Sequence, residues 1–565
     1  NTIKINQKLV YFNTSKDTLS TILLLDWANS YANKETPLAV RFAEDFRRNF
    51  HFAGRKTRGY TEINSIFNNT KDSLTWKRFN DIEDILEINL SKPLHPKDST
   101  IVNISYLVKL PHHKFTGNGY TNEKNYNLRH WYLIPAVYNS KWEIYSNKDL
   151  FDFYAPLINY EIDLKIPNGY NLASEITQDE QITKNKKEIF LRGNNLRDVK
   201  LYIQKISNFY NVKTGEFELV TNINSGKTNT STKYKVANKI GDFLKNNLGD
   251  LSTDKLIISS IDQRKNPVYG FNQLPQKLRP FSDEFQFEIS LLKSTIDAVL
   301  KKTLVINPRT EKWVTDGILV YLMMKYIDDN YPEMKLGGAL TEVIGLRWFH
   351  AADLYFNDQY YLGYKNMARL FIDQPLKTPR DSLLKFNYNI TNTYKAGLGL
   401  KYLEDYLEDK TISKSIKQFY SGNKLKLSSA KQFQKIIDTL ANKNVDWFFN
   451  EFISDNKKLD FKFKNVEKIG DSLIITIKNK RENTMPVSVS LIKDDKAIYK
   501  IWIDGFTGKK TIKIKNDNAD KLVIDYERNI PEVDRSNNYK NLKGLLNKPL
   551  QVRLLQDIED PSKNQ

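Results

Sequence analysis

The chain has 565 residues, 40% of them hydrophobic and 12% aromatic, which is too long for one core and too apolar for a disordered polypeptide. Lys and Arg total 86 against 67 Asp and Glu, a formal charge of +19, yet the lysines are dispersed and no compact basic block with interleaved aromatics suggests a nucleic-acid groove. The absence of cysteine excludes disulfides, thiolate metal sites and cysteine nucleophiles, and no apolar run approaches the ~20 residues of a membrane-spanning helix.

Residues 1 to about 225 read as strands joined by polar turns, starting at Asn1 as a processed or trimmed end would. Alternation is visible in Leu86-Glu87-Ile88-Asn89-Leu90, in Ile101 to Val108 and in Tyr160 to Ile166 ahead of Pro167-Asn168-Gly169. One exception, Pro37 to Phe50, predicts a short helix carrying Phe42 and Phe46. The polar segment Thr221 to Thr232 marks a boundary. A helix over Tyr234 to Asn247, a strand over Lys255 to Ser260 and a strand at Gly270-Phe271-Asn272-Gln273-Leu274-Pro275 follow.

Two helices broken at Asn307-Pro308 then cover Phe285 to Tyr326. On the first, Phe285, Ile289, Leu292, Ile296 and Val299 recur at helical spacing and set Lys293 and Asp297 side by side on a neighbouring face. On the second, Trp313, Gly317, Tyr321 and Met324 recur in the same way and bring Asp316. Helical material runs on to Phe452 through Tyr394-Lys395-Ala396-Gly397. From Leu459 the period returns to two, in Phe461 and Phe463, Leu473 to Ile477, Val487 and Val489, which predicts a β-sandwich. Pro531 to Gln565 reads as a polar tail, the kind of end that leads to a membrane-embedded region outside this chain.

The frame Lys293-Ser294-Thr295-Ile296-Asp297 with Thr315-Asp316-Gly317 resembles the gluzincin zinc site, where H-E-x-x-H on one helix and a Glu in N-E-G on the next bind the metal. Leu110-Pro111 with Phe115 to Gly119, and Trp131 to Tyr138 with Lys141-Trp142 and Tyr154-Ala155, resemble the first domain of the aminopeptidase N family. The resemblance implies an α+β multidomain fold: an N-terminal β saddle domain (1–225), a thermolysin-like, mainly helical middle domain (226–457), a C-terminal β-sandwich (458–530) and a tail (531–565). It further implies that Gly270 and Gln273 stand in the substrate cleft, Gln273 where the family grips the free amine with Glu, and that Tyr394 matches the tyrosine that assists the oxyanion. An ordinary strand-end glutamine explains Gln273 equally well.

The zinc ligands and the base are missing from the frame. The six histidines are His51, His95, His112, His113, His130 and His350, so the helix pair has no imidazole. Ser294 at the base position cannot accept a proton as Glu would, and loss of a general base alone costs ~100- to 10,000-fold. Lys293 is expected to stand in for the metal, paired with Asp297 and Asp316, the other reading being a solvent-exposed i,i+4 pair. No cofactor and no metal are expected. The expected function is that of a non-catalytic, aminopeptidase-like binding or scaffolding component of a bacterial cell envelope, at the periplasm or outer membrane. Its expected partners are envelope or outer-membrane proteins or peptides, with association to a membrane surface as a further option and nucleic acid excluded. Two alternatives stay open: an aminopeptidase with a reorganised metal site using Asp297 and Asp316, and a binder of anionic envelope polymers.

Overall fold

In the computed structural model, which describes residues 1–182, 186–224, 228–271, 279–342 and 354–542, the alternating stretches of the N-terminal part form short antiparallel sheets. Ser99–Lys109 is a central strand: Thr2–Phe12 pairs along one edge, with Leu9 opposite Val102, and Tyr60–Asn68 along the other. Leu19–Leu25 lies between Ile85–Leu94 and Ile134–Pro135, and Lys186–Leu196 between Ile158–Pro167 and Thr177–Ile182. Inward residues such as Ile22, Leu24, Ile88, Val102, Tyr106 and Leu191 make one core, as a period of two requires when one face is covered.

The helix α1, Pro37–Glu44, is shorter than its apolar pattern suggests. Thr36 caps it by accepting from the Ala39 amide, and Phe42 is fully buried. The chain then turns left-handed at Phe46, with φ 57°, and leaves that ring 88% exposed, so Phe46 is not the second anchor expected of it.

The strands Tyr210–Lys213 and Glu218–Thr221 lie ahead of the expected boundary at 225, yet Glu218–Thr221 pairs in parallel with Lys255–Ile258. Val212, Phe217 and Leu219 join the core of the helical part, which places these strands with the middle of the chain. The helices that follow are α2 (Thr230–Leu248), α3 (Ser260–Lys265), α4 (Asp283–Thr303), α5 (Lys312–Asn330), α6 (Asp358–Arg369), α7 (Asn392–Leu407), α8 (Thr411–Asn423) and α9 (Ala430–Leu440). Ser282 caps α4 through the Phe285 amide, with Asp283 and Glu284 in the first turn and Lys301 and Lys302 in the last, the charge order a helix dipole favours. α5 is apolar nearly all round and buried; it crosses α7 where Gly317 faces Ala396 and Leu400 and where Gly397 faces Val320.

The C-terminal part has two sheets, Phe461–Ile469 with Ser472–Asn479 and Lys509–Lys515, and Lys496–Ile503 with Val487–Lys493, Lys521–Ile524 and Tyr539–Asn541. Tyr539–Asn541 pairs with Lys521–Ile524, and Ile530 and Val533 are buried, so the folded part extends past 530 to at least 541 and the expected tail begins later. These sheets meet α7 through a 2.7 Å ion pair from Lys500 to Asp405 and a hydrogen bond from the Tyr402 hydroxyl to the Pro486 carbonyl. The whole is an α+β protein of several sheets and helical layers. Among the described residues no helix is long and apolar enough to cross a membrane.

Candidate functional site

α4 runs into the short strand at 304–305 and α5 follows it, and polar positions of both helices lie where the N-terminal part meets them. A cavity of about 110 Å3 closes there, lined from α4 by Ser294, Asp297 and Lys301, from α5 by Lys312 and Thr315, and from the N-terminal part by Arg129, Phe151, Arg197 and Lys200. The two parts are joined at this point by Arg197. Its guanidinium donates to the carbonyls of Lys301 and Leu304 at 2.9 and 3.1 Å, satisfying acceptors that the end of α4 leaves free, and to the Phe153 carbonyl at 2.7 Å. Burial lowers Arg197 to about 10.

The walls are predominantly cationic. Arg129, Arg197, Lys200, Lys301, Lys302 and Lys312 face four carboxylates, Glu175, Asp198, Asp262 and Asp297. Arg129 pairs with Asp198 at 3.1 Å and with Asp262 at 3.5 Å, Lys200 with Asp262 at 3.7 Å and Lys302 with Glu175 at 3.1 Å. Burial pushes the Asp262 carboxyl up, but Lys200, Arg129 and the Ser259 hydrogen bonds outweigh it and hold the group well below the usual carboxylate range. The Phe151 ring, held at φ 53°, has Lys265, Lys301 and Arg129 at 4.6, 4.8 and 5.4 Å from its centroid, so its face collects three cations. His130 stacks on Phe153 at 4.0 Å, and burial with the surrounding Arg129 and Lys265 drives its imidazole far below the usual value, so it is neutral.

The frame residues are brought to one region but not into the arrangement expected. Asp297 pairs with Lys301, one turn onward, at 2.6 Å. Asp316 pairs with Lys312, accepts from the Thr393 hydroxyl at 2.9 Å and has Arg380 at 3.9 Å. Lys293 donates to the Pro267 carbonyl at 2.7 Å, and among the described residues no ion pair joins it to either aspartate. Its ammonium is buried, which lowers it to about 8 against the weaker pull of Asp297 and Asp316. The direct Lys293 to Asp297 pair is therefore corrected: helical side chains lean toward the helix N-terminus, so Lys301 reaches back over Asp297 while Lys293 is carried away from it. Ser294 donates to the Ser290 carbonyl at 2.8 Å and lines the cavity.

Tyr394 is on α7 next to Thr393, but its ring turns to α6, 4.9 Å from Tyr360 and against Gly363, and it does not line the cavity. Burial raises its hydroxyl. Gly270 sits in an exposed turn at φ 93°, a conformation that favours glycine, and not in a strand. Gln273 lies outside the described residues. The cavity residues that sequence reasoning missed, Arg129, Phe151, Arg197, Lys200 and Asp262, have no motif of their own; only Arg129-His130, immediately ahead of the Trp131 segment, was within reach.

A zinc ion does not fit the frame. Lys293 brings a positive charge where a ligand is required, both aspartates are taken by lysines, and among the described residues no three His, Cys, Asp or Glu are grouped to hold a metal.

This is an α+β fold with a cavity between an N-terminal β part and a pair of helices. It is similar to the crystal structure of Legionella pneumophila aminopeptidase A in complex with aspartic acid, with a TM-score of 0.61 at 10% identity over 96% of this chain. The chain spans 57% of the length of that protein. No protein-family model and no curated protein matches the sequence. The likeness corrects the expectation of a non-catalytic envelope scaffold and the expectation that the chain is not an enzyme: the similar structure is that of an aminopeptidase, and the likeness accords better with the alternative of an aminopeptidase with a reorganised site.

Proposed function

We propose that the chain is a peptidase-like protein that acts on peptides, an aminopeptidase relative with a reorganised site in the cavity between the N-terminal sheets and the α4–α5 pair. The finer kinship with the aminopeptidase N family, with its saddle, thermolysin-like and sandwich domains, is part of this proposal. The observation that supports it is the coincidence of the frame residues Ser294, Asp297 and Thr315 with a cation-lined cavity in a fold similar to that of an aminopeptidase.

The cavity also suggests the substrate. At about 110 Å3 it is small beside the ~300 to 1,000 Å3 of sites that enclose whole ligands, so it suits one residue of a peptide. Six cations against four carboxylates favour an acidic side chain, and the similar structure was solved with aspartic acid. A terminal ammonium would share Asp297 and Glu175 with their lysine partners Lys301 and Lys302, and an oxygen that gains negative charge as the peptide bond is attacked would draw Lys301 and Lys312 partly from Asp297 and Asp316.

Release of amine from aspartyl, glutamyl and leucyl amides by the purified chain tests the proposal. Preference for the acidic substrates, lost in Lys301→Met and in Asp297→Asn, supports it. No release above the uncatalysed rate from any of the three, at any added divalent metal, ends it.

A further inference from the structure

The N-terminal part contains a far larger feature that this activity does not use. A groove of about 2180 Å3 runs along Thr2–Phe12 on one side and Ile158–Pro167 on the other. Every successive residue of both strands lines it. Side chains of a strand alternate between its two faces, so a groove that meets them all meets the strand at its edge. Each strand is terminal in its sheet: Thr2–Phe12 pairs only with Ser99–Lys109 and Ile158–Pro167 only with Lys186–Leu196 among the described residues. Two rows of backbone donors and acceptors without a ladder partner thus border one groove, a liability that folded proteins ordinarily cover.

The side chains of the two edges agree in pattern. Ile3, Ile5 and Tyr11 on one and Ile158, Ile162 and Leu164 on the other are half-buried against the N-terminal core, while Lys4, Lys8, Asn159, Glu161 and Lys165 between them are exposed. The floor is apolar, with Leu128, Trp131 and Leu133. Charge at the groove is unbalanced: Lys4, Lys8, Lys165, Lys186, Arg192 and Lys426 against Glu161 and Asp163.

We propose that this groove receives one extended, acidic segment of another polypeptide, about ten residues long, added as a strand along the two exposed edges. The length follows from edges of 11 and 10 residues, and the alternation of the edges sets the pattern of the segment: apolar at every second position, facing the half-buried isoleucines, and acidic between them, facing the lysines. Main-chain hydrogen bonds supply the affinity and the charge selects the partner.

The probe is a fluorescent decapeptide of alternating valine and glutamate, titrated into the chain and followed by anisotropy and by hydrogen exchange. Saturable binding with slowed exchange in 2–12 and 158–167 is expected. Affinity should fall about tenfold when two central residues are proline, which cannot donate to a ladder, and about tenfold in the exposed double variant Lys4→Glu, Lys8→Glu. The proposal fails if no binding is seen, if the proline peptide or a valine–lysine peptide binds as well, or if protection falls elsewhere. It fails equally if the chain alone dimerises with protection of the same strands, because the occupant is then a second copy.

Discussion

Asp297 on α4 takes its ion pair from Lys301, one turn toward the helix C-terminus, at 2.6 Å, while Lys293, one turn the other way, donates a hydrogen bond to the Pro267 carbonyl. The two lysines therefore differ in what they do for the fold. Replacing Lys301 leaves a half-shielded carboxylate alone and should lower stability by about 1 kcal/mol, between the values for exposed and buried pairs. Lys293→Met removes a buried ammonium whose main interaction is one hydrogen bond, and should leave stability unchanged or raise it. Denaturant unfolding of the two variants at pH 7 checks the contrast, and equal losses would show that both lysines hold Asp297.

Asp316 is held more firmly than Asp297. Its carboxylate is nearly out of contact with solvent and has Lys312, the Thr393 hydroxyl and Arg380 around it, so it ties α5 to α7. Asp316→Asn should cost about 3 kcal/mol, the scale of breaking a buried pair, against about 1 kcal/mol for Asp297→Asn. A smaller loss at 316 than at 297 would show that the α5–α7 contact does not rest on this carboxylate.

Gly397 has a packing role that its motif-like surroundings do not suggest. A Cβ at this position would lie 2.2 Å from Val320 Cγ1 and 3.3 Å from the Tyr321 amide nitrogen, so α7 could not approach α5 as it does. Gly397→Ala should destabilise by about 1 to 3 kcal/mol despite the better helix propensity of alanine. Adding Val320→Ala should restore little, because the Val320 Cβ that remains would itself lie 2.4 Å from the new Cβ, whereas full recovery in that double variant would show that only the Cγ1 contact mattered.

What the sequence made legible was periodicity. The two-residue alternation at 101–108, 160–166 and 473–477 and the three-to-four spacing at 285–299 each mark an element, because one covered face imposes them. The strands at 210–221 were missed because they are four residues each and their partner at 255–258 follows an intervening helix. The aspartates of the frame were visible as positions, but their partners were not. Which of two lysines at equal spacing meets Asp297 depends on the lean of helical side chains and on competing acceptors such as Pro267. Arg197 and Lys200 reach the cavity through tertiary contact alone, which no local pattern in their stretches reveals, whereas Arg129 at least adjoins the Trp131 segment.

Lys395 offers the clearest pH signature. Next to Tyr394 on α7, it is almost fully buried; among the described residues its ammonium has no hydrogen-bond partner, and it lies 5.4 Å from the centroid of the Phe452 ring. Burial lowers it to about 8 against the attraction of Asp373, as burial also does at Lys293 and Lys301. A lysine that ionises at 8 when folded and near 10.5 when unfolded binds fewer protons in the folded state across that window. Its cost is complete below pH 8 and is removed as pH rises toward 10.5, so Lys395 and Lys293 make stability increase from pH 8 to 10, before the buried tyrosines titrate, while at Lys301 the ion pair with Asp297 opposes the cost of burial. Asp373 keeps its 2.6 Å pair with Lys458 when Lys395 is replaced, so no carboxylate is stranded. Lys395→Met should therefore gain about 1 to 3 kcal/mol at pH 7, with the gain shrinking toward zero by pH 10. Denaturation midpoints of variant and wild type across pH 7 to 10 measure this directly, and a gain that stays constant with pH would mean that it comes from packing and not from the buried charge.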